Sequence, residues 1–175
     1  MNFEVDYGPK VQYEQIIDIS TAKSNSNVFH DEDDHLYRVI LSAIEDQIEA
    51  YLGYPLVRRE QVKIRTEWHS SVSLPVKLEA ITAISYKDEN GEDQLVAAKD
   101  YEFFGGVLNL ELDKPANSGK YITIIGTAGY TEQNMPGWAK DAALLMFTRR
   151  DTFREDRKDI NDTVAKSILR HHRSY

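Results

Sequence analysis

A run of four adjacent acids, Asp31-Glu32-Asp33-Asp34, is the first place where the sequence could do chemistry. Clustered carboxylates are the ligands that a divalent cation would need. Neighbouring side chains at a helix start point in different directions, however, and catalytic metal sites gather their ligands from several elements. Acids at this position more often cap free N–H groups and interact favourably with the helix dipole. We therefore predict helix capping by Asp33 or Asp34, and no metal.

A second acidic segment, Asp88-Glu89-Asn90-Gly91-Glu92-Asp93, superficially suggests a calcium loop. It lacks the glycine at the sixth position and the glutamate at the twelfth that such loops use. Asn90-Gly91 is instead a strong signal for a two-residue hairpin turn of type I′. We predict a hairpin at this point.

The remaining reactive side chains do not have the spacing of known sites. The five histidines are His30, His35, His69, His171 and His172. No two of them are spaced as zinc ligands on one helix. The absence of cysteine excludes thiolate metal sites and cysteine nucleophiles. Ser70, Ser71 and Ser73 lack a Gly-x-Ser-x-Gly context, and Gly126–Gly129 lacks the basic residues of an RNA-clamping loop. We predict no catalytic residues, no cofactor and no metal, and a protein that is not an enzyme.

The charge is distributed unevenly along the 175 residues. Residues 136–175 carry nine Lys/Arg and six Asp/Glu, a net charge of +3, so a total of −8 leaves −11 on the first 135 residues. An acidic chain is a poor candidate for coating nucleic acid, which requires a dense basic face. Without a long apolar run or an N-terminal signal pattern, we expect no membrane association and a cytoplasmic protein.

One basic cluster has an ambiguous role: Arg149, Arg150, Arg154, Arg157 and Lys158. Cations stabilise helix C-termini, so a solvated helix end explains the cluster without any partner. The acids interspersed among these residues favour ion pairs with another protein subunit over DNA contact. All three interpretations stay open, and the cluster is the candidate partner-binding site.

The clearest element is a long helix predicted over Asp34–Leu52. Apolar residues recur at helical spacing, which predicts that Leu36, Val39, Ile40, Ile44 and Ile48 are buried. Gly53 suits a left-handed C-cap, and Pro55 prevents the helix from continuing. Upstream, Ser20 or Thr21 is predicted to cap a short helical turn.

A β region follows the long helix. Alternating segments predict strands over 62–68, 80–87, 94–97, 101–104, 107–112 and 121–125. Short connections between them favour an antiparallel meander of about five or six strands. Pro136 marks the start of a second helix. The predicted class is α+β, with an N-terminal long helix, an antiparallel hairpin sheet and a C-terminal helix packed alongside, in one domain over 1–160. The tail 161–175 is predicted to hold a short helix.

The order of these pieces resembles the head–tail connector (head-completion adaptor) subunits of tailed bacteriophages. The similar segments are Ala22-Lys23, Asp33-Asp34, the helix ending Glu49-Ala50-Tyr51-Leu52-Gly53, the strand Ile81–Asp88 with Asn90-Gly91, and Thr127-Ala128-Gly129-Tyr130 before Pro136. The resemblance covers roughly residues 19–155, and it rests on the order and spacing of the motifs.

This resemblance implies a structural virion or prophage protein in the neck. It implies a homo-oligomeric ring of about a dozen subunits between the portal protein and a tail-side head-closure protein. Double-stranded DNA would pass through the pore without sequence-specific binding, and an acidic body would repel its phosphates. The main alternative is a monomeric β-rich binding module for a peptide or carbohydrate.

Overall fold

The computed structural model describes residues 2–11, 15–27, 30–111, 119–152 and 163–173. The chain forms two compact units. A β unit comprises Met1–Val11 and Arg58–Gly129, and a helical unit comprises Gln12–Val57 and Tyr130–Tyr175. The α+β class is confirmed, whereas the assignment of residues 1–160 to one domain stays a prediction.

The helical unit contains four α-helices among its described residues: α1 (Ile19–Asn25), α2 (Asp34–Leu52), α3 (Gly137–Thr152) and α4 (Thr163–Leu169). Short 3-10 turns lie at Glu132–Asn134 and Arg170–His172. Small and large apolar side chains alternate in the core, where Ala139, Ala142 and Ala143 of α3 let the helices approach closely. The Tyr37 and Phe147 rings meet edge to face at 5.4 Å between centroids, which joins α2 to α3.

The bounds of α2 are those predicted, and Gly53 ends it in the left-handed region at φ 82°. Asp33 occupies the N-cap position of α2, as predicted, but its side chain makes no capping hydrogen bond. Its backbone lies at φ −97° and ψ 6°, outside the extended region that capping geometry requires.

The predicted buried face of α2 is only partly right. Ile44 and Ile48 are fully buried, but Leu36 is 39% and Val39 is 53% exposed, and Ile40 is half-buried. The core takes a rotated stripe of the helix: Tyr37, Leu41, Ile44, Glu45, Ile48 and Leu52. The helix therefore carries two apolar stripes, and periodicity alone did not distinguish which one the core buries.

Helix α1 begins one residue after its cap, which is Asp18 and not Ser20 or Thr21 as predicted. The Asp18 carboxylate accepts hydrogen bonds from the backbone N–H of Thr21 at 2.8 Å and from the hydroxyls of Ser20 and Thr21. A carboxylate can accept several hydrogen bonds at once, so it outcompetes the neighbouring hydroxyls as the cap.

The described residues of the β unit form two antiparallel sheets. The first has the order β1-β2-β8-β4-β5, made of β1 (Phe3–Asp6), β2 (Arg59–Glu67), β8 (Tyr121–Ala128), β4 (Leu78–Lys87) and β5 (Asp93–Leu95). The second has the order β3-β7-β6, made of β3 (Ser71–Ser73), β7 (Val107–Leu110) and β6 (Tyr101–Phe104). The antiparallel pairing is confirmed, but the simple meander is wrong, because β8 returns to lie between β2 and β4.

The insertion of β8 depends on a glycine. A Cβ on Gly126 would lie 2.5 Å from the Ala80 carbonyl oxygen and 2.8 Å from Leu78 Cδ1. The register of β4 against β8 shifts at this point, between Leu78 and Ala80 and again between Ile81 and Ala83. The absence of a side chain therefore lets two strands approach closely at an irregularity in the sheet.

The β4–β5 hairpin is confirmed, but its predicted turn type is wrong. Gly91 has φ 81°, whereas Asn90 is not among the residues with positive φ, so the turn is not type I′. The Gly91 N–H donates to the Asp88 carbonyl at 3.1 Å, and Asp88 pairs with Glu92. This is a three-residue loop with glycine at the left-handed position, the next most common hairpin geometry.

Candidate interaction surfaces

The acidic run before α2 is held by a lysine. Lys23 Nζ lies 2.6 Å from Asp31 Oδ1 and 2.7 Å from Asp34 Oδ1. The hydrogen bonds to Asp31 and Asp34 raise the pKa of Lys23, and the hydrogen bond from Lys23 lowers the pKa of Asp31. Across the described residues, no group of three or more His, Cys, Asp or Glu could hold a metal ion. The run joins α1 to α2 by ion pairs.

Two glutamates of α2 stabilise the adjoining chain. The backbone N–H of Ile16 donates to Glu45 Oε1 at 2.9 Å, and Glu45 is buried. Glu49 Oε1 accepts the N–H groups of Leu56 and Val57, each at 2.9 Å. The sequence analysis missed both roles, because the partners are backbone groups that no side-chain pattern identifies.

The basic cluster is only partly within the described structure. Arg149 and Arg150 lie half-buried in the last turn of α3, and Arg150 Nη2 donates to Gln47 Oε1 of α2. Arg154, Arg157 and Lys158 lie outside the described residues. The predicted cluster is therefore placed at the C-terminal end of α3 by its first two members, one of which helps to hold that end against α2.

A second basic surface lies on α4 and the turn that follows it. The Trp138 and His172 rings stack at 4.1 Å between centroids and 6° between planes, and Arg173 Cζ lies 5.3 Å from the Tyr51 ring centroid. These contacts hold the turn, while Lys166, Arg170 and His171 are exposed. The sequence analysis missed this surface, although the spacing of four residues between Lys166 and Arg170 was a usable signal.

The β unit has one exposed aromatic tip and a shallow cleft beside it. Phe104 is 90% exposed at the β6–β7 turn, where Gly105 and Gly106 adopt positive φ. The cleft encloses about 500 Å³ and is lined by side chains that include Leu74, Phe103 and Phe104. Its carboxylate, Glu79, is paired with Arg58 at 3.0 Å. This arrangement suits binding an apolar group more than it suits acid–base chemistry.

No helix within the described ranges is long and apolar enough to cross a membrane.

No family model matches the sequence, and no curated protein matches it. Solved structures do match. A chain of the neck of an empty GTA particle, computed with C6 symmetry, has a TM-score of 0.70 at 16% identity and covers 100% of this chain and 96% of its own. A chain of the virion of the native gene transfer agent (GTA) particle has a TM-score of 0.66 at 16% identity with the same coverage.

A chain of the neck of the native GTA particle, computed with C12 symmetry, has a TM-score of 0.61 at 20% identity and covers 95% of this chain and 94% of its own. At these identities the likeness concerns the fold. The likeness extends over both units of the present chain. The chain thus has the α+β fold of proteins in the necks of phage-like particles.

Proposed function

We propose that the chain is a structural subunit of the neck of a phage or phage-like particle. In this role it forms a ring below the portal protein, contacts a tail-side head-closure protein, and lets double-stranded DNA pass through the pore. The observation that carries the proposal is the match to neck chains over almost the full length of both partners. A fold shared over both units is more informative than a likeness of one common module.

Symmetry supports the ring. The matching necks were computed with C6 and C12 symmetry, which are cyclic arrangements of identical chains. A cyclic ring needs two different complementary patches on each subunit, because the contact is heterologous. Residues 1–135 and 136–175 carry opposite net charges, −11 and +3, and a contact between oppositely charged regions of two copies would be attractive.

The acidic character of the chain suits a channel for DNA. A net charge of −8 repels phosphates at long range, so DNA can slide through without being held. The basic cluster that begins with Arg149 and Arg150 would then contact a protein partner: another subunit, the portal or the head-closure protein. Its interspersed acids suit paired charges across such an interface.

A monomeric binding module is the alternative, and the cleft beside Phe104 favours it. An exposed aromatic ring next to a cleft of mixed polar and apolar lining is a common way to bind a peptide or a carbohydrate. Under this alternative, Phe104→Ala abolishes ligand binding and the protein stays monomeric. Under the neck proposal, the same variant leaves the ring number unchanged.

The decisive experiment is native mass spectrometry and negative-stain microscopy of the purified full chain, from micromolar to millimolar concentration, alone and with its cognate portal protein. The expected result is a closed ring, or a complex with the portal that has cyclic stoichiometry. A strict monomer at every concentration that does not bind the portal would contradict the proposal.

A further inference from the structure

The outer face of α2 is apolar although it faces solvent. Leu36 is 39% and Val39 is 53% exposed, and Ala43, one turn further along, is exposed as well. These positions are spaced by three and four residues, so they form one stripe on the helix. The opposite stripe, which includes Tyr37 and Ile44, already fills the core. A single copy of the chain therefore leaves the second stripe exposed to solvent.

The charges beside this stripe are mostly negative. Residues 31–46 contain five acids outside the core and a single cation, Arg38, because the sixth acid, Glu45, is buried on the opposite face. At the start of the stripe, the Asp31 side chain is 89% exposed despite its bond to Lys23, and Glu32 is exposed. The stripe thus begins at an acidic rim.

The surface of α4 has the complementary character. Val164 is 60% exposed, and Lys166 of the same helix and Arg170 of the turn after it are exposed as well. Residues 163–173 carry three Lys/Arg and no Asp or Glu. The aromatic contacts of His172 and Arg173 hold this surface in place. It presents one exposed apolar side chain, Val164, and exposed cations that form its basic rim.

We infer that the outer face of α2 in one copy binds the α4 surface of a second copy. The inference rests on the proposed neck function and specifies the contact that closes the ring. Opposite rims attract, whereas pairing two α4 surfaces would bring like charges together. Because the two patches differ, the contact is heterologous and propagates from copy to copy until a ring closes.

The cysteine-free sequence allows a direct test. Val39→Cys and Val164→Cys are made as separate single variants, mixed in the full-length chain and oxidised. A heterologous contact predicts a disulfide-linked heterodimer in the mixture. Each variant oxidised alone should give a much lower yield of disulfide-linked homodimer. Leu95→Cys, at a position 74% exposed in the β unit, replaces Val39→Cys as the control for random collision. We expect at least a fivefold excess of heterodimer over this control.

A second variant checks the energetics. Leu36→Glu with Val39→Glu changes only solvent-facing positions, so its thermal unfolding should match the parent within a few degrees. Ring assembly should require at least a tenfold higher concentration, because desolvating two carboxylates against Val164 costs more free energy than their attraction to the basic rim returns.

The outcomes separate the inference from the function on which it rests. If the parent chain forms rings, two results would overturn the contact and leave the neck function standing. One is a heterodimer yield no higher than that of the Leu95→Cys control. The other is unimpaired assembly of the double glutamate variant. Efficient self-crosslinking of Val39→Cys alone would also overturn it, in favour of a symmetric contact. A parent chain that never assembles and never binds the portal would overturn both.

Discussion

The backbone N–H of Ile16 donates to the Oε1 atom of Glu45, 29 residues away, in a buried setting at 2.9 Å. This bond fixes the segment before α1 against the middle of α2. A charged side chain is rarely buried without such partners, since an unpaired charge in the interior is strongly unfavourable. The hydrogen bond that Glu45 accepts from the Ile16 N–H therefore explains why a glutamate lies within the apolar stripe of α2.

Replacing Glu45 should destabilise the helical unit. Glu45→Ala leaves the Ile16 N–H buried without its acceptor, which costs roughly 1–3 kcal/mol. Urea unfolding followed by circular dichroism measures the change, with Ser42→Ala on the exposed side of the same helix as the control. Equal midpoints for the two variants would show that the buried hydrogen bond contributes little.

The two stripes of α2 should respond oppositely to truncation. Ile44 is fully buried, so Ile44→Ala should lower the free energy of unfolding by roughly 2–5 kcal/mol. Val39 is 53% exposed, so Val39→Ala should change it by less than about 0.5 kcal/mol. Measurements on the unassembled subunit at low concentration make the comparison. A large loss at Val39 would place that stripe in the core after all.

The cap of α1 should make stability depend on pH in the acid range. Burial raises the pKa of Asp18, but hydrogen bonds from Ser20 and Thr21 outweigh it and lower the pKa to about 2, from 3.8. A depressed pKa contributes stability above the unfolded value and loses it as the pH falls through the folded value. Asp18→Ala should thus cost about 0.5–2 kcal/mol at neutral pH.

The difference between parent and Asp18→Ala should shrink between about pH 4 and pH 2. Thermal unfolding across this range measures it. Ser20→Ala serves as the comparison, because it removes one hydroxyl donor and keeps the carboxylate. A difference that stays constant down to pH 2 would mean that the charge of Asp18 does not stabilise the folded state.

A pair of glycines tests the close approach of β8 and β4. Gly126→Ala places a Cβ 2.5 Å from a backbone oxygen that cannot move away cheaply, so the β unit should lose roughly 1–3 kcal/mol. Gly137→Ala is the matched control, because a Cβ there meets nothing within 4 Å. In the first turn of α3, alanine should be neutral or stabilise by about 0.4–1 kcal/mol. Similar melting temperatures for both variants would contradict the steric argument.

Local signals predicted the elements, and contacts between distant residues decided the rest. Gly53 and Pro55 define the end of α2 within a few residues of sequence, so that boundary was predictable. The choice between the stripe of Val39 and the stripe of Ile44 depends on α3, more than ninety residues further along. The place of β8 between β2 and β4 likewise depends on pairing across the whole β unit. Strands β1 and β3 were missed because each is short and pairs with a strand far along the chain, β1 with β2 and β3 with β7, so no turn signal marks the pairing.

The candidate surfaces likewise combine features that local signals predict with contacts between distant residues. Arg149 and Arg150 were predictable as a basic helix end from their position after an apolar helical run. The basic surface of α4 was predictable only in part: the spacing of Lys166 and Arg170 was a usable signal, but the stack of Trp138 on His172 joins residues 34 positions apart. No periodic pattern reports such a contact.

The last prediction concerns the basic end of α3 and the salt dependence of its partner contact. Arg150→Glu combined with Arg154→Glu reverses two charges of the cluster proposed to bind a protein partner. Exposed charge pairs are individually weak, each about 0.2–1 kcal/mol, so reversal should weaken ring assembly or portal binding several-fold at low salt. The effect should fade as salt rises, because the screening length falls from about 30 Å at 0.01 M to about 8 Å at 0.15 M.

One intramolecular contact must be separated from this effect. Arg150 donates to Gln47 within the subunit, so the reversal also removes that bond. Gln47→Ala removes the same bond without changing any charge, and it should assemble like the parent at every salt concentration. Light scattering at 20 mM and 300 mM salt, with native mass spectrometry of the portal complex, measures all three proteins. If Gln47→Ala and the double reversal weaken assembly equally, the effect belongs to the hydrogen bond between α2 and α3. If the double reversal assembles as well as the parent, the basic end of α3 is not part of the interface.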